Sequence, residues 1–268
     1  MTDMPSRTNT LNHCALLEQP MSEHAETPSP GRTVVSMTAL GTVGLIVGIL
    51  LGTVVYSLVG APFSIPIDGP SGQLLFTVGT YVGVAAVGLL YLARCELSLS
   101  YVRLRLPGWL DLGVTALTVV VLVALAIVIP LLIGWLGLPF AQHSVAETLE
   151  GNPSVALVLI PVSILIVGPA EELLYRGIIQ TRLKDVFSTH SAVAVAALIF
   201  AAVHVLAYLD PANIPATLVT ITFLLLPLGA LLGVVYEYTG NLLVPAIAHG
   251  VYNAITYGSV YADLVGVF

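Results

Sequence analysis

The chain has 268 residues, of which 57% are hydrophobic and 9% are charged. Soluble domains carry roughly a quarter charged residues, so this composition excludes an ordinary soluble protein and indicates a membrane protein. A net charge of -7 and a single lysine, Lys184, exclude a nucleic-acid-binding protein.

The first segment, residues 1–32, is polar and contains four prolines. It lacks the positive start and the apolar core of a signal peptide, and its composition is typical of a disordered segment. We therefore divide the chain into a disordered cytoplasmic tail, 1–32, and a transmembrane helical domain, 33–268.

Seven stretches of at least 20 residues contain no Asp, Glu, Lys or Arg. They are 33–67, 69–93, 112–146, 151–170, 186–209, 211–236 and 238–262. Each can cross about 30 Å of hydrocarbon as a helix. Backbone groups in lipid must be satisfied internally, and these stretches are too long for barrel strands. The sequence therefore predicts an all-α polytopic transmembrane bundle of about seven spans.

The first of these stretches repeats glycine at every third or fourth position, at Gly41, Gly44, Gly48 and Gly52. Small residues let the backbones of membrane helices approach closely. We expect this face of the helix to pack against a neighbouring helix.

The basic residues give the orientation. Seven of the eight fall on one side of a seven-span arrangement, namely Arg7, Arg32, Arg94, Arg103, Arg105, Arg182 and Lys184. The other side carries only acidic residues, namely Asp68, Glu147, Glu150, Asp210 and Asp263. The positive-inside rule makes the basic side the cytoplasm. We expect an integral protein of the plasma membrane with its amino terminus inside and its carboxyl terminus outside.

Three charged residues, Glu171, Glu172 and Arg176, follow the fourth stretch directly and lie among apolar residues. Burying an ionised carboxylate costs several kcal/mol unless it is paired, so such residues indicate a functional site. Glu172 and Arg176 have the i, i+4 spacing of a helical ion pair. We favour a helix that runs on to about Thr181 over one that stops at Ala170. Pro169 is expected to loosen or kink this longer helix.

Glu171 is the candidate for chemistry in this cluster. Neighbouring residues on a helix point about 100° apart, so Glu171 faces away from the predicted Glu172–Arg176 pair. The alternative is that all three charges form a structural ion pair between helices.

Three further polar residues interrupt the later stretches. His204 lies in the fifth stretch, and His249 and Asn253 share one helix face in the seventh. Glu171, His204 and His249 lie roughly 21, 20 and 12 Å from the cytoplasmic helix ends at 1.5 Å per residue, so they can meet in one cavity. The alternative for each histidine and for Asn253 is hydrogen bonding between packed helices.

Two other histidines fit no such cluster. His143 lies in the predicted external connection 139–153, together with Glu147 and Glu150, and His190 lies at a helix start. We expect both to be solvated.

These residue types allow peptide hydrolysis without a protein nucleophile. A carboxylate beside an imidazole can activate a water as general base, while other polar hydrogens hold the oxyanion. Glu171, His204 and His249 would also suit zinc with an open water position, although the helix-borne HExxH pattern is absent. No serine or cysteine lies in a nucleophile elbow.

The combined pattern resembles the CPBP family, the CAAX-protease and bacteriocin-processing (Abi) membrane proteins. The resemblance covers about residues 153–257, which would form the catalytic core. It consists of three ordered motifs: Glu171-Glu172 with Arg176, Phe200 with His204, and His249 with Asn253.

This resemblance implies an intramembrane endopeptidase whose site opens toward the cytoplasm. Glu171 and His204 would activate the water, and His249 and Asn253 would stabilise the oxyanion. The supporting residues would be Glu172, Arg176 and Phe200. Family members have been described both as metalloproteases and as glutamate-dependent proteases, so zinc stays open.

The motifs do not identify the substrate. We expect membrane lipids and a peptide or membrane-protein substrate as partners, and no prenyl-recognition feature is evident. Two other function classes stay open. A non-catalytic immunity or scaffold protein would not need the charge of Glu171, and a proton-coupled transporter would show pH-dependent flux without cleavage.

Overall fold

The computed structural model describes residues 29–267, which form helices joined by loops and contain no strand. The helices are α1 (Pro30–Phe63), α2 (Pro70–Arg94), α3 (Trp109–Trp135), the short α4 (Val145–Gly151), α5 (Pro153–Leu183), α6 (Thr189–Tyr208), α7 (Ile214–Thr239) and α8 (Leu243–Leu264). Most of the predicted tail, 1–32, lies outside the described residues, and α1 takes in residues 30–32.

Six of these helices are long and apolar enough to cross a membrane, namely α1, α2, α3, α5, α6 and α7. With 22 residues α8 also has the length to cross, and it carries His249 and Asn253. The predicted all-α polytopic bundle of about seven spans is therefore confirmed.

Glycines bring α1 and α2 together as an antiparallel pair. The buried face of α1 includes Gly41, Gly44, Gly48 and Gly52. A Cβ atom on Gly52 would lie 2.6 Å from the carbonyl oxygen of Phe76, and one on Gly79 would lie 2.8 Å from the Cα of Gly52. The predicted packing face is confirmed, because backbones this close leave no room for a side chain.

The helix that carries the acids, α5, continues past them to Leu183, which confirms the longer of the two predicted helices. Pro169 does not interrupt the helix, because Val167 and Gly168 keep helical φ and ψ angles. Instead, π-helical turns lie before and after the acids, at Ser163–Val167 and Leu173–Gln180. Such wide turns are frequent at functional sites.

The basic residues between helices gather at one end of the bundle, which we call the basic end and define by Arg103, Arg105 and Lys184. Glu237 of α7 binds Arg103 at 3.1 Å and Lys184 at 2.6 Å, while Arg105 donates to the carbonyl oxygen of Thr239 at 3.0 Å.

The opposite end, which we call the acidic end, carries Asp68, Glu147, Glu150, Asp210 and Asp263. Within residues 29–267 no lysine or arginine lies there. The charge asymmetry of the sequence thus corresponds to the two ends of one bundle.

Candidate active site

The centre of the site is a buried ion pair on α5. Glu172 and Arg176 are 0% and 1% exposed, and Nη1 of Arg176 donates to Oε1 of Glu172 at 2.7 Å. This is the pair that the i, i+4 spacing predicts. Nη2 of Arg176 donates to the carbonyl oxygen of Gly229 at 2.9 Å. The second bond ties α5 to α7.

Phe200 of α6 packs between this ion pair and His204. The guanidinium carbon of Arg176 lies 4.6 Å from the centroid of the Phe200 ring, within cation–π range. The ring of His204 lies 4.2 Å from it, and Tyr175 meets it edge-on at 5.1 Å. Phe200 therefore supports both the ion pair and one of the two central histidines.

Glu171 points away from the ion pair and toward two imidazoles. Its Oε1 lies 3.5 Å from Nε2 of His204, and its Oε2 lies 3.6 Å from Nε2 of His249. The turn of about 100° between neighbouring helical residues explains why the two glutamates serve different partners. The structure thus brings together one predicted residue from each of α5, α6 and α8.

The partners of the two histidines indicate where their protons lie. A carbonyl or carboxylate oxygen accepts, so Nδ1 is the donor in both cases. Nδ1 of His204 donates to the carbonyl oxygen of Phe200 at 2.7 Å, and Nδ1 of His249 donates to Oε1 of Glu172 at 2.9 Å. Each ring therefore turns Nε2 toward Glu171, and a neutral ring presents a lone pair there.

These side chains line a cavity of about 440 Å³. Asn253 lies in its wall one helical turn beyond His249, and its side chain has no hydrogen-bond partner in the part of the chain that the structure describes. Tyr81 of α2 and Tyr257 of α8 line the same cavity. Tyr81 is not among the site residues predicted from the sequence. The only signal that the sequence offers for it is a hydroxyl group within an apolar stretch.

The cavity reaches the acidic end of the bundle. It is lined there by Gln73, by His143 before α4 and by Tyr208 at the end of α6, and no lysine or arginine of the described residues lines it. This end of the cavity lies opposite the basic end of the bundle.

His143 is not the solvated residue predicted from the sequence. It is half-buried at the cavity wall, its Nδ1 accepts from the backbone N–H of Val145 at 3.0 Å, and its ring meets Tyr208 edge-on at 4.9 Å. Burial lowers the pKa of His143 to about 4. The connection that carries it folds back over the cavity, which local sequence cannot reveal.

The alternative of a zinc ion on Glu171, His204 and His249 does not fit this arrangement. No group of three His, Cys, Asp or Glu side chains in residues 29–267 has the geometry of a metal site.

Comparison with known proteins gives a family match over part of the chain. Residues 153–255 match the Rce1-like family, described as type II CAAX prenyl endopeptidase Rce1-like. This range holds all three motifs, confirms the family resemblance drawn from them and supports a protease function. The match covers α5 to the middle of α8 and leaves α1 to α4 outside it.

One curated relative is similar over a shorter length. The uncharacterized protein YpbD of Bacillus subtilis strain 168 is 38% identical over 91 residues. The aligned part is 34% of this chain and 40% of the relative, so the chain spans less than half of the curated relative that it matches. No solved structure matches the chain.

Removing the cation of the central pair should destabilise the protein strongly. In Arg176→Met the carboxylate of Glu172 loses its guanidinium while buried, which costs about 3–5 kcal/mol when a buried pair is broken. Thermal unfolding in detergent micelles measures the loss.

Arg103→Met provides the matched control. Arg103 is 31% exposed, and its partner Glu237 keeps Lys184 and Gln180. We expect a loss of less than about 1 kcal/mol, as for exposed pairs. Equal losses in the two variants would contradict a dominant role for the buried pair.

Burial of His143 should make the protein less stable in acid. The folded pKa of about 4 lies below the usual value, so between about pH 6.5 and pH 4 the unfolded chain binds more protons and stability falls as the pH falls. His143→Gln should flatten this part of a profile of unfolding temperature against pH. His190→Gln, at an exposed residue, should leave the profile unchanged. A His143→Gln profile as steep as that of the parent would contradict the burial argument.

Proposed function

We propose that this protein is an intramembrane endopeptidase in which Glu171 and His204 activate a water for attack on a peptide bond. The match of residues 153–255 to Rce1-like type II CAAX prenyl endopeptidases supports the reaction class. The observation that carries the mechanism is the position of Glu171, which lies between the Nε2 atoms of His204 and His249 inside a cavity.

The first step is activation of water. Oε1 of Glu171 and Nε2 of a neutral His204 are both acceptors, and their separation of 3.5 Å leaves them without a direct hydrogen bond. A water can donate one hydrogen to each of them, which directs its oxygen lone pair toward a carbonyl carbon. Glu171 takes a proton as the new C–O bond forms. It returns this proton to the amine nitrogen as the C–N bond breaks.

The second requirement is stabilisation of the oxyanion on the attacked carbonyl. His249 uses Nδ1–H on Glu172, so it donates from Nε2 only when it carries a proton on both nitrogens. In that form the site is neutral, because the charges of Glu171 and Glu172 are balanced by Arg176 and His249. Asn253 has an unused amide donor in the same cavity wall.

Glu172, Arg176 and Phe200 act as supporting residues in this proposal. Glu172 accepts a hydrogen bond from the ring of His249, and Arg176 neutralises Glu172. Phe200 packs against both the guanidinium of Arg176 and the ring of His204. Preorganised partners of this kind hold catalytic groups in place without reorganisation during the reaction.

Loss of the charge on Glu171 should abolish cleavage while the fold is retained. In Glu171→Gln the amide cannot take the proton of the water, so turnover should fall by about 10²–10⁴-fold, the usual contribution of a general base. Purified protein is assayed in micelles against a fluorogenic peptide library, with and without a chelator, and unchanged cleavage after chelation is expected.

Glu147→Gln is the matched control, because Glu147 is an exposed carboxylate at the acidic end. Full activity of Glu171→Gln would refute the mechanism and would favour an immunity or scaffold role. If cleavage is absent from the parent protein while liposomes show pH-dependent flux, a transporter is indicated.

Asn253→Ala tests the oxyanion half of the proposal. Removing one such donor lowers kcat by about 10²–10³-fold. Because the interaction forms mainly in the transition state, KM should change little. A rise in KM at unchanged kcat would assign Asn253 to substrate binding instead.

A further inference from the structure

We propose that Tyr81 of α2 positions the carboxylate of Glu171 for the activation of water, so that the catalytic machinery includes a helix outside residues 153–255. The proposal rests on the endopeptidase function proposed above, and it adds to that function a positioning residue that acts through Glu171. Three observations support it: the register of α2 against α5, the direction in which Tyr81 points, and the contact of its hydroxyl with the carboxylate.

Tyr81 and Glu171 lie at the same level of two neighbouring helices. Both α2 and α5 run from the acidic end of the bundle to the basic end. The two helices meet at Gly88, where a Cβ atom would lie 3.2 Å from Cδ1 of Ile178. Tyr81 precedes Gly88, and Glu171 precedes Ile178, by the same interval of about two helical turns. The register therefore brings Tyr81 beside Glu171.

The packing around Tyr81 agrees with this register. Tyr81 packs against a buried hydrophobic cluster that includes Val84, Ala170 and Leu174. Val84 follows Tyr81 by about one turn of α2. In α5, Ala170 comes directly before Glu171, and Leu174 follows it by about one turn. The cluster thus joins the segment around Tyr81 to the segment around Glu171, and both of these side chains line the cavity.

The other face of α2 is fixed by its contact with α1. Gly79 and Gly83 stand two positions before and after Tyr81, so each lies about 200° around the helix from it. A Cβ atom on Gly79 would lie 2.8 Å from the Cα of Gly52, and one on Gly83 would lie 2.8 Å from the Cα of Gly48. This close glycine packing sets the rotation of α2 and turns Tyr81 away from α1, toward the cavity.

The hydroxyl of Tyr81 reaches the carboxylate of Glu171. The two side chains form a hydrogen bond, and Tyr81 also interacts with the charge of Glu171. The phenol O–H donates and the carboxylate accepts, which makes this a charge-assisted bond, stronger than one between neutral groups. Glu171 needs such a donor, because a neutral His204 turns Nε2 toward it as an acceptor.

The hydrogen bond from Tyr81 restricts rotation of the Glu171 carboxylate. An ionised carboxylate has about four lone-pair sites, so it can accept from Tyr81 and still offer a lone pair to the water beside His204. A carboxylate that is held in this orientation before the reaction does not have to reorient as the water attacks. Loss of the hydroxyl should therefore slow the chemical step more than it weakens the binding of substrate.

The first experiment removes only the hydroxyl. In Tyr81→Phe the ring still fills the cavity wall, while the carboxylate of Glu171 loses its donor. We expect kcat to fall by about 10–100-fold, the equivalent of one hydrogen bond to a charged group, with KM little changed. Turnover is measured in micelles with the best-cleaved peptide of the fluorogenic library. A rise in KM at unchanged kcat would assign Tyr81 to substrate binding and overturn the positioning role.

Tyr56→Phe is the matched control, because it also removes a hydrogen-bonded tyrosine hydroxyl. The hydroxyl of Tyr56 donates to the carbonyl oxygen of Ile65 at 2.8 Å, and Tyr56 is not among the residues that line the cavity. We expect kcat and KM of this variant to stay at the parent values. An equal fall of kcat in Tyr56→Phe and Tyr81→Phe would indicate a general loss of folded protein and would overturn the positioning role.

The second experiment measures the contact without depending on activity. Unfolding temperatures in micelles are compared for the parent, Tyr81→Phe, Glu171→Leu and the variant that combines both changes. Removing the donor of a buried carboxylate is destabilising, so Tyr81→Phe should lower the unfolding temperature of the parent by several degrees. It should lower that of Glu171→Leu much less, because the partner is already gone. Equal losses in the two backgrounds would overturn the contact.

The two experiments separate this inference from the proposed function. Coupled unfolding temperatures, with no cleavage by the parent protein, would support the contact between Tyr81 and Glu171 and refute the endopeptidase. Cleavage that Glu171→Gln abolishes, together with the parent kcat in Tyr81→Phe, would overturn the positioning role and leave the endopeptidase standing.

Discussion

Two adjacent carboxylates in a membrane-embedded helix can stay ionised only if nearby cations neutralise them. Glu172 meets this constraint through Arg176, whose guanidinium is held by the ring of Phe200 and by a backbone carbonyl of α7. Four helices contribute to this centre, since His249 of α8 also bonds Glu172. The positions of the remaining site residues follow from it.

The neutralised Glu172 has a second effect, because it decides how His249 is oriented. By accepting from Nδ1 it directs Nε2 toward Glu171, and the carbonyl oxygen of Phe200 does the same for His204. Two rings with engaged Nδ1 atoms then turn their Nε2 atoms toward one carboxylate, across distances that a water can bridge. This geometry gives the two glutamates separate tasks although they are neighbours in the chain.

The two ends of the bundle differ in packing and in charge. Aromatic and aliphatic residues pack around Tyr236 at the basic end, and the connection that carries His143 contributes to the cavity wall toward the acidic end. Apart from the buried Arg176, the basic residues of the described chain lie toward the basic end, and none of them lines the cavity.

The sequence by itself determined the all-α membrane bundle, the Glu172–Arg176 pair and the continuation of α5, because hydropathy, charge position and helical spacing are local properties. It also marked Glu171, His204 and His249 as costly polar insertions. Only the tertiary structure decided which ring nitrogens face Glu171 and that Tyr81 and His143 line the cavity. These features depend on helices and connections far apart in the chain, whose rotation and tilt are set by packing between helices.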